Sequence, residues 1–134
     1  MIDIESQVFS MCASALRAEF PNMFVTGESV NAPPSFPCAA IREMSNSTYL
    51  RSLDNALKEH HANVMIQCEF FSNLKSGKKA ECRKMAAIVD EVMLSNGFTR
   101  TFMQPVENPA DNTKHRIVSR YTAVVSENKM IYRR

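Results

Sequence analysis

The stretch over residues 62–98 constrains the fold of this chain more than any other. Apolar and polar side chains alternate over its first ten residues, which is the period of a half-buried β-strand. After a short polar turn, apolar residues recur at helical spacing over residues 77–95, and they are Met85, Ile88, Val89 and Val92. The helix is expected to stop there, because Gly97 can adopt the left-handed conformation that closes a helix and Phe98 can fold back onto Met93. One strand, one helix and a sharp stop therefore form the packing unit around which the other elements are arranged.

The same periodicities predict the elements on either side of this unit. A first helix is expected over residues 4–20, with Asp3 as its cap and Pro21 as its end. Further strands are predicted over residues 23–25, 38–44, 98–106 and 114–126. Turns or loops are predicted over residues 45–48 and 107–112. Residues 28–37 contain three prolines, which predicts an extended surface segment or a sheet edge. Residues 49–61 fit either a helix or the outgoing arm of a hairpin.

The order of these elements predicts an α+β fold. We expect a mostly antiparallel sheet of about four to five strands covered by two helices, in the order helix, strands, helix, hairpin. The link from the central strand through the second helix suits a β-α-β crossover. At 134 residues the chain has the length of one domain, which we assign to residues 1–126, with a mobile tail over residues 127–134.

The last strand is unusual because both of its faces carry apolar side chains. The first face holds His115, Ile117, Tyr121, Ala123 and Val125. The second face holds Arg116, Val118, Arg120, Thr122 and Val124. One face is expected to pack on the helices, and the other is a candidate contact surface for a partner.

Composition and motifs argue against an enzyme, a membrane protein and a nucleic-acid-binding protein. No apolar run approaches the ~20 residues of a membrane span, and acidic residues precede the first Lys or Arg, unlike a signal peptide. The net charge of +2 is small for sequence-specific nucleic-acid binding. The three glycines lie too far apart for a phosphate-binding loop. We therefore expect no catalytic residues and no cofactor.

The cysteines and histidines give little support for a metal site or a nucleophile. No two cysteines form a C-x-x-C pair, so we expect four buried, reduced thiols, and these are Cys12, Cys38, Cys68 and Cys82. His60 and His61 are adjacent, and adjacent side chains on a strand point to opposite faces. Cys68 and His115 lie on candidate neighbouring strands, but chance proximity of two core residues explains this better than catalysis.

The feature that folding alone explains least is a group of cations. Lys75, Lys78, Lys79 and Arg83, followed by Lys84, crowd the start of the second helix, where positive charge opposes the helix dipole. They form either a solvated, salt-screened face or a docking patch for an acidic surface. Arg116 and Arg120 would extend such a patch if the sheet turns them the same way.

The second half of the chain resembles the tail terminator proteins of long-tailed bacteriophages. The resemblance is carried by the strand-turn-helix over residues 66–81, by residues 89–98, and by Arg116, Arg120, Tyr121 and Ala123 in the last hairpin. The resemblance covers roughly residues 36–126, and the N-terminal helix matches in position but not in amino-acid sequence.

The resemblance implies a structural part of the virion. Tail terminators close the growing tail tube as a hexameric ring and present a face to the head-completion protein. The implied partners are further copies of the chain, the tail tube protein and the head-completion protein. The implied location is the tail-neck junction, with assembly in the host cytoplasm. Other head-tail connector or neck proteins share much of the fold, so that role stays open, as does a small ligand- or partner-binding regulatory module.

Overall fold

The structure is a computed structural model that describes residues 1–30, 32–48, 61–106 and 113–126, together with the backbone of residues 131–132. It confirms the α+β class. The helices are α1 (Glu5–Glu19) and α2 (Lys78–Ser95). The strands are β1 (Phe24–Thr26), β2 (Cys38–Thr48), β3 (His61–Ser72), β4 (Thr99–Pro105), β5 (His115–Ser126) and β6 (Ile131–Tyr132). Neither helix is long and apolar enough to cross a membrane.

The strands form one sheet in the order β1-β2-β3-β5-β4, and β6 pairs with β5 outside this path. Every pairing is antiparallel except that of β1 with β2. Because β3 and β4 are both antiparallel to β5, they run parallel to each other, with α2 between them along the chain. The predicted crossover is therefore present, and β5 lies between its two strands.

The core lies between the two helices and one face of the sheet. Strand β3 contributes four alternating residues to it, and these are Val64, Ile66, Cys68 and Phe70, all fully buried. The helices contribute Val8, Cys12 and Leu16 from α1 and Met85, Val89 and Met93 from α2. Burial of each large apolar side chain stabilises the fold by roughly 1.5–3 kcal/mol. All four cysteines are buried free thiols, as predicted.

The end of α2 follows the prediction closely. Gly97 has a φ of +92°, in the left-handed region. The N–H of Gly97 donates to the carbonyl of Leu94 at 3.2 Å, and the N–H of Phe98 donates to the carbonyl of Met93 at 3.0 Å. Phe98 is buried, so the chain turns sharply back into the sheet and β4 begins directly beside α2.

At the start of α1, the N-cap is Ile4 rather than the predicted Asp3. Within the sheet, three expectations differ from the structure, and in each case strand pairing outweighs local signals. The turn predicted over residues 45–48 is wrong, because a bulge between Glu43 and Ser45 lets β2 continue to Thr48 against β3. A second bulge, between Arg100 and Phe102, interrupts the regular alternation expected of the strand predicted over residues 98–106. Residues 131–132, placed in a mobile tail, form β6 against Val124 and Val125. The predictions for residues 49–60 and 107–112, including the metal role weighed for His60, lie outside the described residues.

Candidate docking surfaces

The four cations Lys75, Lys78, Lys79 and Arg83 lie together at the start of α2, as the sequence predicted. None of them forms an ion pair in the part of the chain that the structure describes. Burial and the charges of Lys79 and Lys78 lower the pKa of His115 at the start of β5. This cluster is therefore a region of net positive charge that reaches from α2 to the neighbouring strand end.

The turn between β3 and α2 fixes where these cations begin. The hydroxyl of Ser72 donates to Glu81 Oε1 at 2.7 Å and accepts the N–H of Leu74 at 3.4 Å. Gly77 precedes the helix with a φ of +88°, a conformation that glycine adopts without strain. Glu81, in the first turn, supplies negative charge where the helix dipole favours it, and so offsets part of the cost of the nearby lysines.

A groove of about 570 Å³ lies between α2 and the edge strand β4. Its lining includes Arg83, Ala86 and Asp90 from α2 and Met103 from β4. At one end Asp90 Oδ1 accepts hydrogen bonds from Arg100 Nη1 at 2.9 Å and from the Tyr121 hydroxyl at 2.7 Å. This end is neutralised, whereas Arg83 forms no ion pair with the described residues and brings its charge to the groove.

The Tyr121 hydroxyl that donates to Asp90 stays protonated. Burial and the hydrogen bond to Asp90 raise the pKa of Tyr121 well above its ordinary value. The side chain is fully buried, so its hydroxyl donates to Asp90 from inside the core and holds that carboxylate in position.

Arg116 and Arg120 do not extend the patch on α2. They alternate along β5 with Ile117 and Tyr121, which face the helices, so they lie on the opposite face of the sheet, which neither helix covers and which we call the open face. The sheet therefore does not turn these arginines to the same side as the lysines of α2, and the protein has two separate basic surfaces.

The open face carries a connected polar network. Arg116 donates to Glu69 Oε2 from Nη2 at 2.6 Å and from Nε at 3.1 Å. Gln67 Nε2 donates to Glu69 Oε1 at 2.9 Å, and Arg120 Nε donates to Gln67 Oε1 at 2.9 Å. Glu69 and Gln67 are both buried, so these bonds hold Arg116 and Arg120 in fixed positions.

Two aromatic rings support the arginines of this network. The guanidinium of Arg116 lies 5.6 Å from the centre of the Phe71 ring, and that of Arg120 lies 5.1 Å from the centre of the Phe102 ring. Such cation–π contacts add about 0.5–1 kcal/mol each at exposed sites. The bulge in β4 matters here, because it turns Phe102 towards Arg120 while Arg100 faces α2.

Sequence analysis missed a third arginine on this face. Arg42 lies opposite Gln67, as Arg120 does on the other side, so the three side chains form one row across β2, β3 and β5. The Nε atom of Arg42 is buried and has no hydrogen-bond partner in the part of the chain that the structure describes. Only the register of the sheet reveals this row, because in the sequence Arg42 is one cation in an apolar stretch.

The two edges of the sheet differ. On one side β1 covers only Cys38–Ala40 of β2, and further along the N-terminal region closes the edge of β2. There Glu5 Oε2 accepts the N–H of Glu43 at 2.7 Å, and Asn46 Nδ2 donates to the carbonyl of Ile2 at 2.7 Å. On the other side β4 is mostly exposed and pairs with no second strand among the described residues.

The hydrogen-bonding pattern of β4 shows which of its backbone groups point outward, away from β5. The N–H of Val106 donates inward to the carbonyl of Arg116 at 2.9 Å. Because direction alternates along a strand, the N–H of Met103 points outward, and at the next outward position Pro105 has no donor. A strand added at this edge would therefore pair around Met103 and stop at Pro105.

The fold does not bring together Cys68 and His115, the two residues considered as a catalytic nucleophile and its base. Cys68 lies opposite Ser119 and His115 lies opposite Ser72, four residues along β3, which separates them by about 13 Å. Burial raises the pKa of Cys68 well above its ordinary value, which disfavours a thiolate. In the described ranges no three His, Cys, Asp or Glu side chains form a group able to hold a metal ion.

Comparison with known proteins adds no family to this description. No protein-family model matches the chain. No curated protein sequence matches it either.

Proposed function

We propose that this protein is a phage tail terminator, a virion subunit that forms a hexameric ring, caps the tail tube and meets the head-completion protein. The observation that carries the proposal is the difference between the two edges of the sheet. At one edge the outermost strand, β1, is only three residues long, and Glu5 accepts the next N–H of β2 at Glu43, whereas the seven-residue β4 presents outward-facing backbone groups beside a groove.

This difference suits a ring because closed rings are built from heterologous contacts, in which two different surfaces of each subunit meet. A subunit with two equivalent open edges would extend its sheet without limit, and an exposed edge strand is a ready template for pairing. Here the outer edge of β4 can accept a neighbour only around Met103, because Pro105 ends the donor row.

The cations at the start of α2 support a second contact. Lys75, Lys78, Lys79 and Arg83 have no ion pairs in the described structure, so their charge is available to an acidic surface. In a ring that stops tube growth, such a patch is suited to the tube end or to the head-completion protein.

The experiment measures assembly of the purified protein, alone and with tail tubes, by native mass spectrometry and negative-stain imaging. Met103→Pro removes an outward-facing donor, and Met103→Ala is the matched control that keeps this donor while shortening the side chain. We expect rings from the wild type and from Met103→Ala, and a loss of rings for Met103→Pro with an unchanged circular dichroism spectrum. Monomers only, with and without tubes, would overturn the proposal.

The groove between α2 and β4 favours a second candidate, a small ligand- or partner-binding module. Its polar groups Arg83, Asp90 and Arg100 line a cavity of about 570 Å³, within the usual size of ligand sites. A thermal-shift screen against metabolites separates the two functions. A ligand that raises the melting temperature of the wild type but not of Arg83→Ala would favour the binding module.

A further inference from the structure

We propose that the ring contact pairs Arg42 and Arg120 on the open face of one copy with Asp3 and Glu43 at the N-terminal edge of the next. This inference rests on the proposed ring and names the charged groups that would hold it together. It concerns a surface of the sheet that the sequence-predicted patch on α2 does not include.

The basic half of the contact lacks an internal counter-charge. Arg42 and Arg120 flank Gln67 in one row, with Cα atoms about 10 Å apart at two strand spacings. Arg120 donates to a neutral amide, and the buried Nε of Arg42 has no acceptor. The nearest carboxylate in the network, Glu69, is already occupied by Arg116 and Gln67. Among the described residues, no anion contacts either of these two guanidinium groups.

A buried guanidinium nitrogen without an acceptor, such as Nε of Arg42, is unfavourable, because it has given up water and gained no hydrogen bond. An arginine in such a position is stabilised once a carboxylate from outside completes it, and guanidinium binds carboxylate with a matched pair of donors. The stacking of Arg120 on Phe102 and its bond to Gln67 hold it in place before the partner arrives.

The acidic half lies at the closed edge of the sheet. Asp3 Oδ1 accepts the N–H of Glu5 at 3.1 Å, Glu5 Oε2 accepts the N–H of Glu43, and Glu43 Oε1 accepts Asn46 Nδ2 at 3.2 Å. All of these donors are neutral amides. Burial, with the charges of Asp3 and Glu5, raises the pKa of Glu43, as expected where carboxylates crowd without a cation.

One subunit cannot bring the two halves together. Arg42 and Glu43 are neighbours in β2, but Arg42 faces the open side opposite Gln67 and Glu43 faces the helix side opposite Ile66. The opposite charges therefore point away from each other within a copy and can meet only between copies. Each copy offers one basic and one acidic surface, which is the arrangement that a head-to-tail ring needs.

The test is a charge swap, read by native mass spectrometry over a concentration series. One variant carries Arg42→Glu and Arg120→Glu, the other carries Asp3→Lys and Glu43→Lys, and Glu5 is kept because it closes the edge of β2. We expect each variant to weaken ring formation at least tenfold, and the chain with all four substitutions to recover it. The matched control reverses the exposed Arg17 and Glu28 and should assemble as the wild type does.

A variant that removes the two positive charges without reversing them controls for a folding defect. Arg42→Gln with Arg120→Gln removes the charges but keeps polar side chains. The loss of the Arg120 contacts with Gln67 and Phe102 should lower the melting temperature only slightly, with an unchanged circular dichroism spectrum, while assembly weakens. If rings persist in the charge-reversed variants, this contact is refuted and the proposed ring stands. The same holds if these variants lose only tube binding. A failure of the four-fold chain to recover rings also refutes it. A wild type that never assembles overturns the contact and the proposed function together.

Discussion

The buried carboxylate of Glu69 gives the sharpest test of the open-face network. Glu69→Gln keeps the shape of the side chain and removes its charge, so Arg116 loses the anion that it contacts through two nitrogen atoms at 2.6 and 3.1 Å. The side chain of Glu69 is 4% exposed and that of Arg116 is 38% exposed, so the pair lies between a buried and a surface ion pair.

The expected loss follows from that position. Breaking a fully buried pair costs about 3–5 kcal/mol, and an exposed pair contributes about 0.2–1 kcal/mol. Solvent around Arg116 lowers the first value, and we expect about 2 kcal/mol, close to that of one hydrogen bond to a charged group. For a chain of 134 residues this corresponds to a fall of about 7 °C in melting temperature.

Urea unfolding followed by circular dichroism measures the free energy of unfolding for Glu69→Gln, Arg116→Met and the double variant. The two losses should be non-additive by about 1–2 kcal/mol, because each single change removes the same interaction. The control is Glu19→Gln, which breaks the exposed pair of Glu19 with Lys84 at 3.3 Å. A Glu69→Gln loss no larger than that of the control, or additive losses in the cycle, would refute a structural role for the network.

Three further predictions concern the acidic edge, the thiols and the patch on α2. Because the folded-state pKa of Glu43 is raised, the stability that this group contributes is present below the ordinary glutamate pKa and is lost as pH rises through the raised value. Glu43→Gln should therefore melt at a higher temperature than the wild type at pH 7 and at the same temperature at pH 4. A thiol reagent at pH 8 should label fewer than one cysteine per native chain and four cysteines after denaturation. The reason is that burial raises the pKa of Cys12 to about 12 and that of Cys38 to about 11. Rapid labelling of the native protein would contradict the buried core. Reversing Lys78 and Lys79 to Glu should leave the melting temperature unchanged and reduce tail completion, whereas tails at normal yield would exclude a docking role for this patch.

The fold class followed from the sequence because its strongest signals are local and agree with one another. The alternation in β3, the helical spacing in α2 and the stop at Gly97 each predict one element, and together they fix how the chain turns between these elements. The antiparallel pairing of β4 with β5 followed in the same way from two alternating segments joined by a loop rich in turn formers.

What the sequence did not reveal depends on register between distant strands. The bulge after Glu43 keeps polar residues in β2 that local signals assign to a turn, because pairing with β3 supplies their backbone hydrogen bonds. The row of Arg42, Gln67 and Arg120 brings together three strands, and no local pattern places these residues side by side. Sequence reasoning could identify Arg120 as unusual but not the residues that surround it.

The separation of the two basic surfaces follows from which face of β5 the helices cover. Both faces carry apolar residues, so alternation alone left the choice open, and Tyr121 decides it by inserting its hydroxyl between the sheet and Asp90 of α2. Once Tyr121 faces the helices, Arg116 and Arg120 must face away from Lys78 and Lys79. In the proposed ring, the arginines on one side of the sheet would meet the neighbouring subunit, and the lysines on the other side would meet a different acidic protein. This division predicts that substitutions on one face alter ring formation and those on the other alter tube or head binding, so the two activities should be lost independently.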